Sequence, residues 1–209
     1  MDECKVYVID DSTEVRQAIK LLMSSIGLEV IEFESADEFV NTDHDIGKLE
    51  GCILLDVRMP GMSGLALLEH LQQIKCSPPV IMISGHGDIP MAVKAVQAGA
   101  INFIEKPFNE QELLDNVHRA FKIDSIQRGK NMKIQLIKNR LNSLTSREKE
   151  VLYAVTEGQR NKAIAVILNI SQSTVEAHRA RVMEKMEASS LSQLMRMIIY
   201  IENSDIEPE

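Results

Sequence analysis

Apolar runs and helix-period segments alternate five times over the first 121 residues: KVYVI then EVRQAIKLLMSSI, LEVIEF then ADEFVNT, CILL then GLALLEHLQQI, PPVIMI then IPMAVKAVQAG, and INFIE then EQELLDNVHRAF. Each helical crossover returns the chain in the same direction, so this order calls for an α/β fold: a five-stranded parallel sheet with helices on both faces. CILL and VIMI are apolar at every position and are expected as central strands buried on both sides. In open parallel sheets ligands bind beyond the carboxyl ends of the strands, and the functional residues are sought there.

After Phe121 the pattern becomes all-helical. Residues 122–141, with the polar run DSIQRGKNMK, read as a linker that is largely helical, with Gly129 as its weak point. Ile126, Ile134, Ile137 and Leu141 make no sustained heptad, which favours a short helical spacer over a long coiled coil. Residues 142–201 then form an all-α domain of four helices. Thr145 with Glu148 and Ser190 with Gln193 have the spacing of capping boxes. The last stretch, 202–209 (ENSDIEPE), is acidic, poor in apolar residues and expected to be disordered.

Charge separates the two halves. The chain carries a net charge of −8, but residues 1–123 hold 10 Lys+Arg against 20 Asp+Glu (net −10), and residues 124–201 hold 13 against 7 (net +6). A split of that kind implies separate partners, with the basic half the candidate for a polyanion such as nucleic acid. No run approaches the roughly 18 apolar residues that would span a bilayer, and the start lacks a basic signal-peptide region, so a cytoplasmic protein with no membrane partner is expected. Cys4, Cys52 and Cys76 are odd in number and form no CxxC pair, which suggests reduced thiols rather than a disulfide framework or a zinc site.

The ends of the five strand patterns are chemically distinctive. The first ends at Asp10 and Asp11, the third at Asp56, the fourth at Ser84, and the fifth at Glu105 followed by Lys106 and Pro107. In a parallel sheet these ends share one edge, where three carboxylates need a cation among them. Hard oxygen ligands at an open site favour Mg²⁺. Asp56 is then a candidate nucleophile toward phosphorus, with Lys106 neutralising charge on the equatorial oxygens. A single carboxylate at a strand end is more often a helix cap or a turn residue, and Asp11 could simply cap the first helix. His86 is expected to be a loop residue, and Gly61 and Gly64 to serve turn geometry.

VYVIDD, LLDVRMPGMSG, ISGHGD and NFIEKPF resemble the signature segments of bacterial receiver domains, which have a CheY-like (flavodoxin-like) fold. The resemblance implies that Asp10, Asp11, Asp56 and the carbonyl of Arg58 bind Mg²⁺ and that Asp56 is the phosphoacceptor. It also implies that Lys106 contacts the phosphoryl group, that Ser84 and Phe103 are a switch pair, and that Lys106 and Pro107 are joined by a cis peptide. Receivers more often carry threonine at the Ser84 position, and Phe103 lacks the hydroxyl of the tyrosine found at its position in others.

In the basic half, NKAIAVIL, the turn NIS and STVEAHRARVMEKM have the spacing of a helix-turn-helix, whose first helix braces the second across the major groove. Val175, Val182 and Met186 share the inward face of the second helix, leaving Ser173, Glu176, Ala177, Ala180, Arg181 and Glu184 outward. Ala177 and Ala180 permit close approach to bases, and Glu176 could accept from a cytosine amine. Lys162, Thr174, Arg179, Arg181 and Lys185 are placed for phosphates. His178 falls close to the apolar phase and is expected to be packed or capping. LTSREKEVL, NKAIA and STVEAHR resemble the LuxR-type output domain, and the whole chain resembles the NarL/FixJ group of two-component response regulators.

That resemblance implies a DNA-binding transcriptional regulator rather than an enzyme. A sensor histidine kinase would transfer its phosphoryl group to Asp56, and the chain would homodimerise on phosphorylation through the face around Ile89, Val93, Lys94, Val96 and Gln97. It would then bind double-stranded promoter DNA and engage RNA polymerase. The charge split suggests that the acidic receiver restrains the basic domain before phosphorylation. The alternative within this family is a phosphorylation-independent regulator whose receiver serves only for dimerisation. An aspartate-nucleophile phosphatase of the haloacid-dehalogenase type needs a second acid two residues after the nucleophile, where this chain has Arg58. A flavodoxin-like cofactor carrier must cradle a phosphate in its first loop, and IDDST would repel one.

Overall fold

The computed structural model describes residues 4–42, 46, 49–74, 76, 78–85 and 89–205. The chain divides into two compact units, Met1–Arg128 and Gly129–Glu209.

The first unit is a parallel five-stranded sheet in the order β2-β1-β3-β4-β5, built from β1 (Lys5–Ile9), β2 (Glu29–Phe33), β3 (Gly51–Asp56), β4 (Val80–Ser84) and β5 (Asn102–Glu105). Every residue of β3 and β4 is buried, so the two apolar runs are the interior strands. Alternate strand residues face opposite sides, as a two-residue period requires. Tyr7, Ile9, Ile53, Leu55 and Met82 enter one core with α2 (Ala36–Val40), α3 (Gly64–Gln73) and Ala95 of α4 (Ile89–Gln97). Val6, Val8, Leu54, Ile81 and Ile83 enter the other, with α1 (Thr13–Ser25) and the first turns of α5 (Glu110–Asn142). The strand order reverses between β1 and β3, so the carboxyl ends of those two strands flank the crevice where this topology places ligands.

Three serines start the sheet-covering helices. Ser12, Ser35 and Ser63 each accept from the backbone N–H three residues on, at 3.4, 3.1 and 3.3 Å. Such a side-chain cap satisfies one of the free amides of a helix start. The cap of α1 is therefore Ser12 and not Asp11.

Helix α5 is unbroken at Gly129, where a bend or break was expected. Its residues divide between the two units. Asp124 is fully buried in the first, where one carboxylate oxygen accepts from the Gly51 N–H at 3.1 Å and from Arg128 at 2.8 Å. Arg128 also reaches Glu50 at 2.8 Å. Burial raises the Asp124 carboxyl above its ordinary range, even with Arg128 and the Gly51 amide pulling it down.

In the second unit, α6 (Ser146–Thr156), α7 (Asn161–Leu168), α8 (Gln172–Lys185) and α9 (Leu191–Asp205) enclose two small cores. Ile137 of α5 is buried in the first of these with Leu152, Val182, Met186, Leu194 and Ile198. Thr145 and Glu148 form the full capping box at α6. At α9 the pattern is shifted: Ser190 Oγ accepts from the Gln193 N–H at 3.2 Å, but Gln193 Oε1 accepts from Ser189 N at 2.8 Å. Helix α9 continues to Asp205, so residues 202–205, expected in a disordered tail, are helical. Buried Ile201 anchors this last turn, and its carbonyl accepts from Ser204 Oγ at 2.7 Å. The rest of the tail, 206–209, lies outside the described residues. No helix among the described residues is long and apolar enough to cross a membrane, and Cys4, Cys52 and Cys76 form no disulfide.

Candidate functional sites

The carboxyl ends of β1 and β3 bring Asp10 and Asp56 together, and β5 delivers Lys106 between them. Lys106 Nζ lies 2.6 Å from Asp10 Oδ2 and 2.6 Å from Asp56 Oδ1. Both carboxylates are buried, with 1% and 6% of their surface exposed. Each remaining oxygen is held by backbone: Ser12 N–H donates to Asp10 Oδ1 at 3.0 Å, and Arg58 N–H donates to Asp56 Oδ2 at 2.7 Å. Burial raises the Asp56 carboxyl above its ordinary value against the opposing pull of Lys106. For Lys106, burial lowers the ammonium, but its hydrogen bonds and charge pairing with Asp10 and Asp56 outweigh that and raise it.

Asp10 and Asp56 thus meet at this edge and share the Lys106 ammonium. Asp11 is solvent-exposed, and among the described residues no three acidic, histidine or cysteine side chains are grouped closely enough to hold a metal. The carbonyl of Arg58 belongs to the loop that follows Asp56. Oxygen donors alone, at an edge open to solvent through Asp11, suit Mg²⁺ in kind.

Ser84 ends β4, buried, and its carbonyl accepts from Lys106 N at 2.7 Å. Phe103 pairs with Met82 in the β4–β5 register, so Ser84, two residues on from Met82, lies on the same face of the sheet as Phe103. Phe103 is half-buried. The Lys106–Pro107 bond is cis. His86 lies outside the described residues.

Two residues that shape this site do so for reasons the sequence did not show. A Cβ on Gly64 would meet the Asp56 carbonyl oxygen at 1.9 Å, so glycine is needed there for close approach rather than for a turn. Gly61, with φ +76°, does serve a turn. Arg16, one turn into α1, donates from Nη1 to the Asp10 carbonyl at 2.6 Å and fixes the end of β1.

In the second unit, α7 and α8 are joined by a turn in which Asn169 takes the left-handed conformation (φ +53°) and Ile170 N–H returns to Ala165 O at 3.0 Å. Ser171 caps α8 through Thr174 N at 3.1 Å. Val175, Val182 and Met186 are buried, whereas Ser173, Glu176, Ala177, Ala180, Arg181 and Glu184 are exposed along one face. Lys162 on α7 is also exposed, and Thr174 is half-buried with its hydroxyl 2.7 Å from Ser171 Oγ. His178 is half-buried, and its Nδ1 has no hydrogen-bond partner among the described residues.

Two cations expected at phosphates also bind within the domain. Arg179 Nη1 donates to Asn161 Oδ1 at 2.7 Å, tying α8 to the start of α7. Lys185 Nζ donates to Glu148 Oε2 at 2.7 Å and to the Ser143 carbonyl at 3.2 Å. Its four-carbon stem lets the ammonium reach these partners from the flank of the helix. That hydrogen bond, together with the Thr145 amide, holds the Glu148 carboxyl down at about 2.

Residues 6–118 match the response regulator receiver domain family, and residues 142–198 match the luxR family of bacterial regulatory proteins. The chain is 44% identical over 203 residues to the response regulator protein TmoT of Ectopseudomonas mendocina, covering 97% of this chain and 91% of that one. It is 41% identical over 199 residues to the transcriptional regulatory protein FixJ of Rhizobium meliloti, covering 95% and 97%. Among solved structures, the response regulator StyR is similar with a TM-score of 0.85 at 39% identity, over 94% of this chain and 98% of that one.

Proposed function

The chain belongs to the two-component response regulators of the NarL/FixJ group, a receiver domain joined to a LuxR-type DNA-binding domain, and on that premise we propose that phosphoryl transfer to Asp56 from a sensor histidine kinase controls its binding to promoter DNA. The observation that carries this reading is the sharing of one ammonium, Lys106, between the two buried carboxylates of Asp10 and Asp56. Such an edge is net negative, and with a divalent cation added beside Lys106 it can neutralise a transferred phosphoryl group. A carboxylate oxygen of Asp56 forms the new P–O bond as the bond to the histidine nitrogen of the kinase breaks, leaving an acyl phosphate and the released imidazole. Lys106, already in place, turns to the phosphoryl oxygens. Asp10, Asp56 and the Arg58 carbonyl would hold Mg²⁺, with Asp11 turning in from the solvent edge, and the ion would neutralise charge on the transferring group.

The buried Ser84 hydroxyl then donates to a phosphoryl oxygen, and Phe103, on the same sheet face, follows into the space released. The exposed apolar residues of α4, Ile89, Val93 and Val96, supply the surface for homodimerisation. Paired α8 helices read paired half-sites through Ser173, Glu176, Ala177, Ala180 and Arg181. Lys162, Thr174 and Arg181 contact phosphates, and Arg179 and Lys185 brace the helix. RNA polymerase is the further partner of the DNA-bound dimer.

The test compares wild type with Asp56→Asn, in Mg²⁺, with and without acetyl phosphate. Self-association and DNA affinity are expected to rise on treatment in the wild type alone. Equal behaviour of both proteins would establish the receiver as a phosphorylation-independent dimerisation module.

A further inference from the structure

The two ends of α8 are held differently. Its N-terminus is capped locally by Ser171. Its C-terminus is gripped from outside the helix, by a pair of cations that exchange contacts between α8 and the end of α5. Arg140, in the last turn of α5, donates from Nη1 to the carbonyl of Met186, the residue that closes α8, at 3.4 Å. Its Nη2 binds the carboxylate of Glu187. In the opposite direction, Lys185 donates from the last turn of α8 to the Ser143 carbonyl just beyond α5 and to Glu148 of α6.

Glu187 is unusual in its own backbone. It takes φ +50°, the left-handed conformation that ends a helix and that normally falls to glycine. The closing hydrogen bonds are in place, with Ala188 N–H to Met183 O and Glu187 N–H to Glu184 O, both at 2.9 Å. Glycine at position 187 would end the helix equally well with less strain. What glycine would lack is a carboxylate for Arg140. Arg140 also places its positive charge at the negative end of the α8 dipole, where a cation is favoured.

We infer that the Arg140–Glu187 pair is a positioning device for sequence reading: it fixes the direction of α8 from its C-terminal end without touching the DNA-facing residues. This rests on the proposal that α8 reads bases. Ser173 stands 12 residues from Lys185, about 18 Å along the helix axis at about 1.5 Å per residue. A pivot of about 5° at the held end moves Ser173 by roughly 1.6 Å over that length, enough to break a base-edge hydrogen bond. Contacts to phosphates, made by long flexible side chains, tolerate such a shift better than contacts to base edges.

The experiment uses the full chain with Mg²⁺ and acetyl phosphate. The probes are a duplex selected by the wild-type protein from a random pool and an unrelated duplex of equal length. Glu187→Gly and Arg140→Ala are compared with wild type, with Arg140→Lys as the conservative change and Ala177→Gln as a control on the reading face. Glu187→Gly is expected to keep or raise the melting temperature and to hold affinity for the unrelated duplex within about twofold. It should lose about tenfold in affinity for the selected duplex, one base contact's worth of discrimination. Arg140→Ala should lose the same discrimination, and Arg140→Lys should recover part of it.

Selected-duplex affinity equal to wild type in Glu187→Gly would overturn the inference. An equal fall on both duplexes, tracking a lowered melting temperature, would also overturn it by reducing the pair to a structural contact. Unchanged sequence preference in Ala177→Gln would instead sink the reading of α8 as the base-contacting helix, and the positioning role with it.

Discussion

The two units hold charge in opposite ways. In the receiver, Asp10 and Asp56 are buried at the sheet edge and share one ammonium, so the proposed chemistry resides in groups that the fold keeps from water. In the LuxR-type domain the proposed reading face, Ser173 to Arg181 on α8, is exposed, and the ion pairs of Lys185 with Glu148 and Arg140 with Glu187 lie away from it. A site that must react is made by burying charge. A site that must read is made by fixing the element that displays it. Side-chain loss should therefore cost stability in the first case and binding in the second.

The largest expected departure between the two follows from Lys106→Met. Removing the ammonium leaves two buried carboxylates facing each other, and breaking a buried pair in this way costs about 3 kcal/mol. Urea unfolding of the full chain, followed by a probe in each unit, should show the receiver transition shifted by that amount and the second transition unmoved. A shift below about 0.5 kcal/mol, the range of ordinary surface changes, would mean that Asp10 and Asp56 are far better solvated than their exposure indicates.

Arg181→Ala should do the reverse. Its side chain is exposed and bears no packing load, so unfolding should be unchanged within about 0.5 kcal/mol. DNA affinity should fall about tenfold at low salt, and the slope of log affinity against log salt should become shallower by about one contact. A change in melting without a change in salt slope would dissolve the contrast between the units.

The smallest effect sharpens the picture from inside the second unit. Glu148 has its pKa held down, at about 2 against an ordinary 4.5, chiefly by Lys185. A depressed carboxyl contributes stability that is whole above its unfolded pKa and lost as pH falls through the folded value. Wild type and Glu148→Gln should therefore differ most in thermal melting above about pH 5 and converge as pH falls from 4.5 to about 2. A difference that persists at the acid end would assign the contribution to shape rather than charge.

The legible parts of this molecule are those in which one residue reports its own environment. CILL and VIMI announce interior strands because strands buried on both faces are apolar throughout. Asp10, Asp56 and Lys106 then follow from position alone, because parallel strands bring their ends to one edge. Val175, Val182 and Met186 announce the buried side of α8 in the same way. What stayed hidden depends on a partner distant in sequence. Asp124 meets the amide of Gly51, 73 positions away, and nothing near either residue signals the other. Lys185 was expected at a phosphate, and its long stem instead reaches Glu148, 37 positions away. Gly64 resembles a turn glycine, and its true constraint is the carbonyl oxygen of Asp56.

The division of α5 has a practical consequence for dissecting the chain. An isolated receiver trimmed at Phe121, where the apolar pattern of the fifth unit ends, would discard Asp124 and Arg128 and leave the Gly51 amide without its acceptor. An excised DNA-binding fragment beginning at Asn142 would lack Ile137 from its core and Arg140 from the end of its reading helix. Scissors placed at Gly129, where a Cβ would meet nothing within 4 Å, return each fragment the residues that complete it.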